Sequence, residues 1–142
     1  MISTVAVGTD GSATATEAVN LAAELARRFQ ATLVLVSAFQ DSDKVPMDRR
    51  ADPSEIQWAF SPAARVREML ARSEDELRGL GVDCSTVMDE GDPAEVLVRL
   101  AGECGADVLV IGNRGMHRRV LGSVPNTVTH KASCSVFVVK TT

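Results

Sequence analysis

Gly112, Gly115, Gly122 and Ser123 carry the spacing with the most chemistry in this sequence, and Arg114, His117, Arg118 and Arg119 lie between them. Gly112 and Gly115 follow the apolar run Val108–Ile111, end it, and permit positive φ or a close approach of backbone to a ligand. Ser123 reads as a helix N-cap, with Pro125 tolerated in the first turn. A helix start presents unpaired N–H groups and partial positive charge, which suits phosphate. The same residues also read as a plain strand–loop–helix connection, with glycines for the turn and arginines for solubility. A second group, Thr9-Asp10-Gly11-Ser12, follows an apolar stretch near the start of the chain. Asp10 there is a turn and capping residue, or a group facing a ligand.

Other chemistries lack their residues. No Gly-Lys-Ser/Thr follows the glycines, so a P-loop motor is excluded. The Gly-x-x-Gly spacing is not the dinucleotide fingerprint, and it sits after the fourth apolar strand instead of the first. No Gly-x-Ser-x-Gly occurs and no cysteine has a His partner, so no catalytic residue is assigned. Cys84, Cys104 and Cys134 are odd in number and far apart; they read as small core residues of a reducing cytoplasm, and no metal site is expected.

Composition bounds the partners. The chain has 142 residues, 45% hydrophobic and 24% charged, with a formal net charge of −4. That size suits one domain, taken as 1–142. A net acidic chain does not favour nucleic acid or an anionic membrane, and no apolar run approaches the ~20 residues of a membrane span. Met1-Ile2-Ser3-Thr4 has no positive signal-peptide start, so the expected location is cytoplasmic.

The elements that must position the two loops alternate along the chain. Strands are predicted over Thr4–Gly8, Ala31–Ala38, Val82–Met88, the run from Val108, and Cys134–Lys140. The third is interrupted by Asp83, Ser85 and Thr86, which fits a sheet edge. The first helix carries an apolar stripe of Ala15, Ala18, Val19, Ala22, Leu25, Ala26 and Phe29, capped by Ser12 or by a Thr14–Glu17 box. Ser61-Pro62 opens a second helix that buries Val66, Met69, Leu70, Leu77 and Leu80; Asp92-Pro93-Ala94-Glu95 opens a third. Ser123 to about Lys131 makes the last. Gln40 to about Ala59 lacks periodicity, has mixed charge, and is expected to be mobile without ligand. Alternation with mostly continuous apolar strands predicts an α/β fold, a parallel sheet doubly wound with helices on both faces. Ligands of such sheets sit at the carboxyl ends of the strands, where the winding reverses. If the first and fourth strands are neighbours, the two unusual loops face one crevice.

At this point the residues resemble a known family. Val7-Gly8-Thr9-Asp10-Gly11-Ser12 before an Ala-rich helix is similar to the opening of universal stress proteins. Asp107 to Gly115, Gly122-Ser123-Val124-Pro125 and Cys134 to Val139 are similar to their closing third. The resemblance covers essentially the whole chain and is weakest between Gln40 and Ser61. It implies strand order 3-2-1-4-5, a homodimer, and, in one branch, an adenine nucleotide in the crevice. This chain departs from that branch's glycine pattern: only Met116 to Leu121 separate Gly115 from Gly122, a shorter stretch than the pattern has. A short arginine-rich loop favours a compact phosphate.

The resemblance places Thr9 and Asp10 near ribose and phosphates, and Ala38 offers backbone to adenine. Gly112, Arg114 and Gly115 line the ribose–phosphate path, and Gly122, Ser123 and Val124 hold phosphate. The ligand is ATP or cyclic AMP, with magnesium as an optional companion ion. The fifth strand supplies the dimer interface through Val136, Phe137, Val138 and Val139, an edge without the charges that usually guard one. Two function classes follow: a nucleotide-binding stress-response or regulatory protein without efficient catalysis, and a dimeric adaptor of the same fold with no nucleotide. Weak ATP hydrolysis stands as a distant third.

Overall fold

Runs of Val, Leu and Ile bury both faces of a central sheet in the computed structural model, which describes residues 1–40, 62–113 and 122–141. The strands are β1 (Thr4–Gly8), β2 (Thr32–Phe39), β3 (Cys84–Glu90), β4 (Val108–Asn113) and β5 (Ser135–Lys140). Between them lie α1 (Ala13–Phe29), α2 (Pro62–Gly79), α3 (Pro93–Glu103) and α4 (Ser123–Lys131). The sheet order is β3-β2-β1-β4-β5 and every pair is parallel. This is the doubly wound α/β fold read from the sequence. The expectations for 41–59, for Arg114 and Gly115, and for His117, Arg118 and Arg119 lie outside the described residues.

Side chains alternate between two cores. Val5 and Val7 of β1 with Leu33 and Leu35 of β2 face α1 and α2; Ala6, Val34, Val36, Leu109 and Ile111 face α3 and α4. On α1, Ala18, Ala22 and Ala26 are fully buried at four-residue spacing, so the helix axis lies close to the sheet. Gly8 does the same for the other face: a Cβ there would stand 2.8 Å from Leu97 Cδ2 of α3. Opposite the site, the Asp107 carboxylate accepts the N–H groups of Ser3 (2.8 Å) and Thr4 (3.0 Å), tying the amino ends of β1 and β4 together.

Local capping chemistry accounts for two helix starts. Ser12 Oγ accepts from Ala15 N–H at 3.1 Å, and Asp92 Oδ2 accepts from Glu95 N–H at 3.2 Å with Pro93 following. Two assigned core residues do not face the core: Phe29 is 50% and Leu80 67% exposed. Phe29 is the last residue of α1 and Leu80 follows the end of α2. Both stand at or just past the carboxyl end of a helix, where the apolar spacing continues but burial does not.

Candidate functional site

The crevice exists because the middle strand is short. Pairing of β1 with β2 stops at Gly8↔Val36, while β2 runs on to Phe39. Pairing of β1 with β4 stops at Val7↔Val110, while β4 runs on to Asn113. Three residues of β2 and two of β4 therefore stand above the end of β1, walls about 7–10 Å high at strand rise. The notch encloses about 370 Å³, within the usual range for small-molecule pockets. Its walls include Thr9, Asp10, Ala38, Leu97, Gly112 and Asn113, with Gly122 to Pro125 above.

The β1–α1 turn is locked by hydrogen bonds within itself and to β2. Thr9 N–H donates to the Val36 carbonyl (2.9 Å), Ser37 Oγ donates to the Thr9 carbonyl (2.7 Å), and Gly11 N–H donates to Thr9 Oγ1 (3.1 Å). Asp10 Oδ1 accepts from Ser12 N–H at 2.9 Å while the residue itself stays exposed. Gly11 takes φ +79°, which glycine adopts without strain. Asp10 is the single ionisable group among the described lining residues.

Parallel winding brings the starts of α1, α3 and α4 to the notch through Ser12, Pro93 and Ser123. Their partial positive ends converge there. Ser12 and Asp92 cap the first two with side chains, whereas the N-cap of α4 is Gly122, which has no side chain to cap with. This corrects the reading of Ser123 as N-cap: Ser123 is the first helical residue. Asn126 N–H donates to the Gly122 carbonyl (3.0 Å), Gly122 N–H donates to Asn113 Oδ1 (2.8 Å), and Pro125 has no N–H. The helix start is thus left with the N–H groups of Ser123 and Val124, which no intrahelical carbonyl reaches.

Gly112 does not end its strand. It pairs with Val139 inside β4, is absent from the positive-φ glycines, and a Cβ on it would meet Thr14 and Thr141 at ordinary 3.5 Å contacts. β4 continues because β5 keeps pairing as far as Lys140. Ala38 pairs with Asp89 on its β3 side, two residues beyond the end of β1 pairing, which leaves its backbone edge toward the notch. Thr9, Asp10, Ala38, Gly112, Gly122, Ser123 and Val124 are therefore gathered at one notch. Val136 to Val139 lie elsewhere, on the edge strand β5: Val139 is buried, Val136 and Val138 are half-buried, and Phe137 is 43% exposed.

Sequence reasoning missed Asn113, Ser37 and Thr141, which are 0%, 2% and 3% exposed. Ser37 directly follows the apolar run of β2 and Asn113 closes β4, whereas Thr141 stands beyond Lys140, so only the fold shows that all three are buried. Among the described residues, no three His, Cys, Asp or Glu gather as a metal site, and no helix is long and apolar enough to cross a membrane.

Comparisons with known proteins agree on a family. The model of the universal stress protein family matches residues 1–140. A universal stress protein of Mycobacterium tuberculosis is 36% identical over 147 aligned positions, spanning 98% of this chain and 97% of its own. A universal stress protein solved in complex with cAMP is 31% identical, covers 99% of this chain and 98% of its own, and superposes with a TM-score of 0.74. Another, from Burkholderia pseudomallei, is 31% identical with coverages of 97% and 96% and a TM-score of 0.73.

Proposed function

This chain belongs to the universal stress protein family, and on that premise we propose that residues 1–142 form one domain whose notch binds an adenine nucleotide, cyclic AMP or ATP. The observation that carries the reading is the start of α4, whose Ser123 and Val124 N–H groups stand at the notch without a side-chain acceptor among the described residues. A relative of 31% identity was solved with cAMP, a ligand with one such anionic group. In this reading Ala38 offers backbone to adenine, and Thr9 and Asp10 lie by the ribose and phosphates. Gly112, with Arg114 and Gly115, lines the path to Ser123 and Val124. Gly122 contributes the room it leaves, since its N–H already serves Asn113.

The residues fit binding better than turnover. Hydrolysis needs a positioned base or water and usually a carboxylate-held metal. Asp10 is the one carboxylate at the described notch, and one of its oxygens is engaged by the turn. Magnesium accompanying a triphosphate would find only that carboxylate among the described lining. The proposed role is regulatory, in a cytoplasmic stress response, with no nucleic acid or membrane as partner.

Calorimetry with ATP, ADP, AMP and cyclic AMP tests the site. We expect at least one to bind below millimolar, and none doing so overturns the reading. Turnover above about one per second, near the low end for enzymes, overturns the non-catalytic part. The adaptor alternative is favoured by one feature, the exposed Phe137 on β5.

A further inference from the structure

We propose that Asn113 is a positioning residue for the phosphate end of the notch, holding the start of α4 in register with β4; the inference rests on the nucleotide reading above. Asn113 ends β4, lines the notch, and is nevertheless fully buried. Its side chain faces along the sheet end instead of into solvent. Oδ1 accepts the Gly122 N–H at 2.8 Å, a bond that joins the two ends of the segment between β4 and α4.

The seat is specific on both sides. A Cβ at Gly122 would lie 3.2 Å from Asn113 Oδ1, tighter than side chains normally tolerate, so glycine at the cap leaves the amide its place. On the other side, the Asn113 carbonyl accepts the Thr141 hydroxyl at 2.7 Å, and Thr141 is itself buried. A line of bonds therefore runs from the end of β5, through Asn113, to the first turn of α4.

What that line fixes is the aim of the two remaining donors. With Gly122 N–H consumed by Asn113 and Pro125 unable to donate, Ser123 and Val124 alone present N–H groups at the helix start. Hydrogen bonds weaken steeply with misdirection. Removing the Asn113 acceptor frees the cap residue, lets the first turn swing, and misaligns both donors. The contacts assigned to Ala38 on β2 and to Thr9 and Asp10 after β1 lie outside this line of bonds.

The test compares AMP with adenosine, which lacks the phosphate, by calorimetry on the full chain. Asn113→Ala is expected to weaken AMP at least tenfold and leave adenosine within twofold. Thr141→Val, which keeps shape and removes the hydroxyl, is expected to give a smaller loss of the same selectivity. Should the alanine variant not fold, Gly122→Ala replaces it: its methyl group would stand 3.2 Å from Asn113 Oδ1 and disturb the same bond without adding charge, and the same selective loss of AMP is expected. AMP binding equal to wild type in these variants overturns the inference and spares the nucleotide reading. Equal losses for AMP and adenosine show a merely structural role and overturn it as well. A wild type that binds neither AMP nor adenosine removes both.

Discussion

A methyl group at position 8 would have to displace Leu97, whose Cδ2 would be 2.8 Å away and which also lines the notch. Because the displaced atom is the end of a rotatable side chain bordering the notch, Gly8→Ala is expected to lower stability by about 1 kcal/mol or less, the low end for overpacking, read as a shifted urea midpoint. The displaced Leu97 should weaken nucleotide binding in the same variant. Cys84 is governed by its surroundings in another way: burial, then the nearby Glu74 carboxylate, pushes its thiol up to about 11. Thiolate is the reactive form, so alkylation at pH 8 should be slow in the native protein and fast in urea; equal rates would contradict this placement. Asp107 is pulled the opposite way. The N–H groups of Ser3 and Thr4 hold its carboxyl below the ordinary carboxylate range. A folded pKa below the unfolded value of about 3.9 stabilises the fold above that pH and loses its effect as pH falls through the folded value. Acidification below about pH 4 should lower the wild-type urea midpoint more steeply than that of Asp107→Asn.

At the scale of elements, the helix α1 is set against the sheet by alanines. Ala22 is fully buried between Ala18 and Ala26, and Ala22→Leu is expected to cost about 1–3 kcal/mol or more because no neighbouring space can absorb it. Chemical denaturation checks the figure. What was legible in the sequence was local or periodic: the apolar runs of β2 and β4, the polar interruptions of the edge strand β3, and the caps Ser12 and Asp92 that act within one turn. What was not legible depends on partners far along the chain. Ser123 has the chemistry of a cap, yet Gly122 takes the position because Asn113, nine residues earlier, needs the space. Gly112 resembles a strand terminator until β5 pairs beside it. Ser37 and Thr141 are ordinary hydroxyls in sequence; only the fold shows that they serve the carbonyls of Thr9 and Asn113. Phe29 and Leu80 continue their helices' apolar stripes at or just past the helix ends, where their side chains are exposed.

The whole molecule presents β5 as an edge with an exposed Phe137 and no acidic or basic residue before Lys140. Pairing of two copies through this strand is the expected assembly, seen as a dimer mass in light scattering at micromolar concentration. Phe137→Lys should shift that mass toward the monomer, and a monomeric wild type would contradict the arrangement. The position of β1 has a further consequence, for the nascent chain. Its β2 neighbour follows closely in sequence, but the bond from Ser3 to Asp107 spans 104 positions. At ribosomal rates of about 5–20 residues per second, one side of the central strand waits roughly 5–20 s for β4 to emerge. Such distant parallel pairings fold slowly and leave an open strand edge meanwhile. The notch comes later still, since Asn113 and Gly122 must both be in place. A nucleotide can therefore reward only the finished fold, never the half-made sheet.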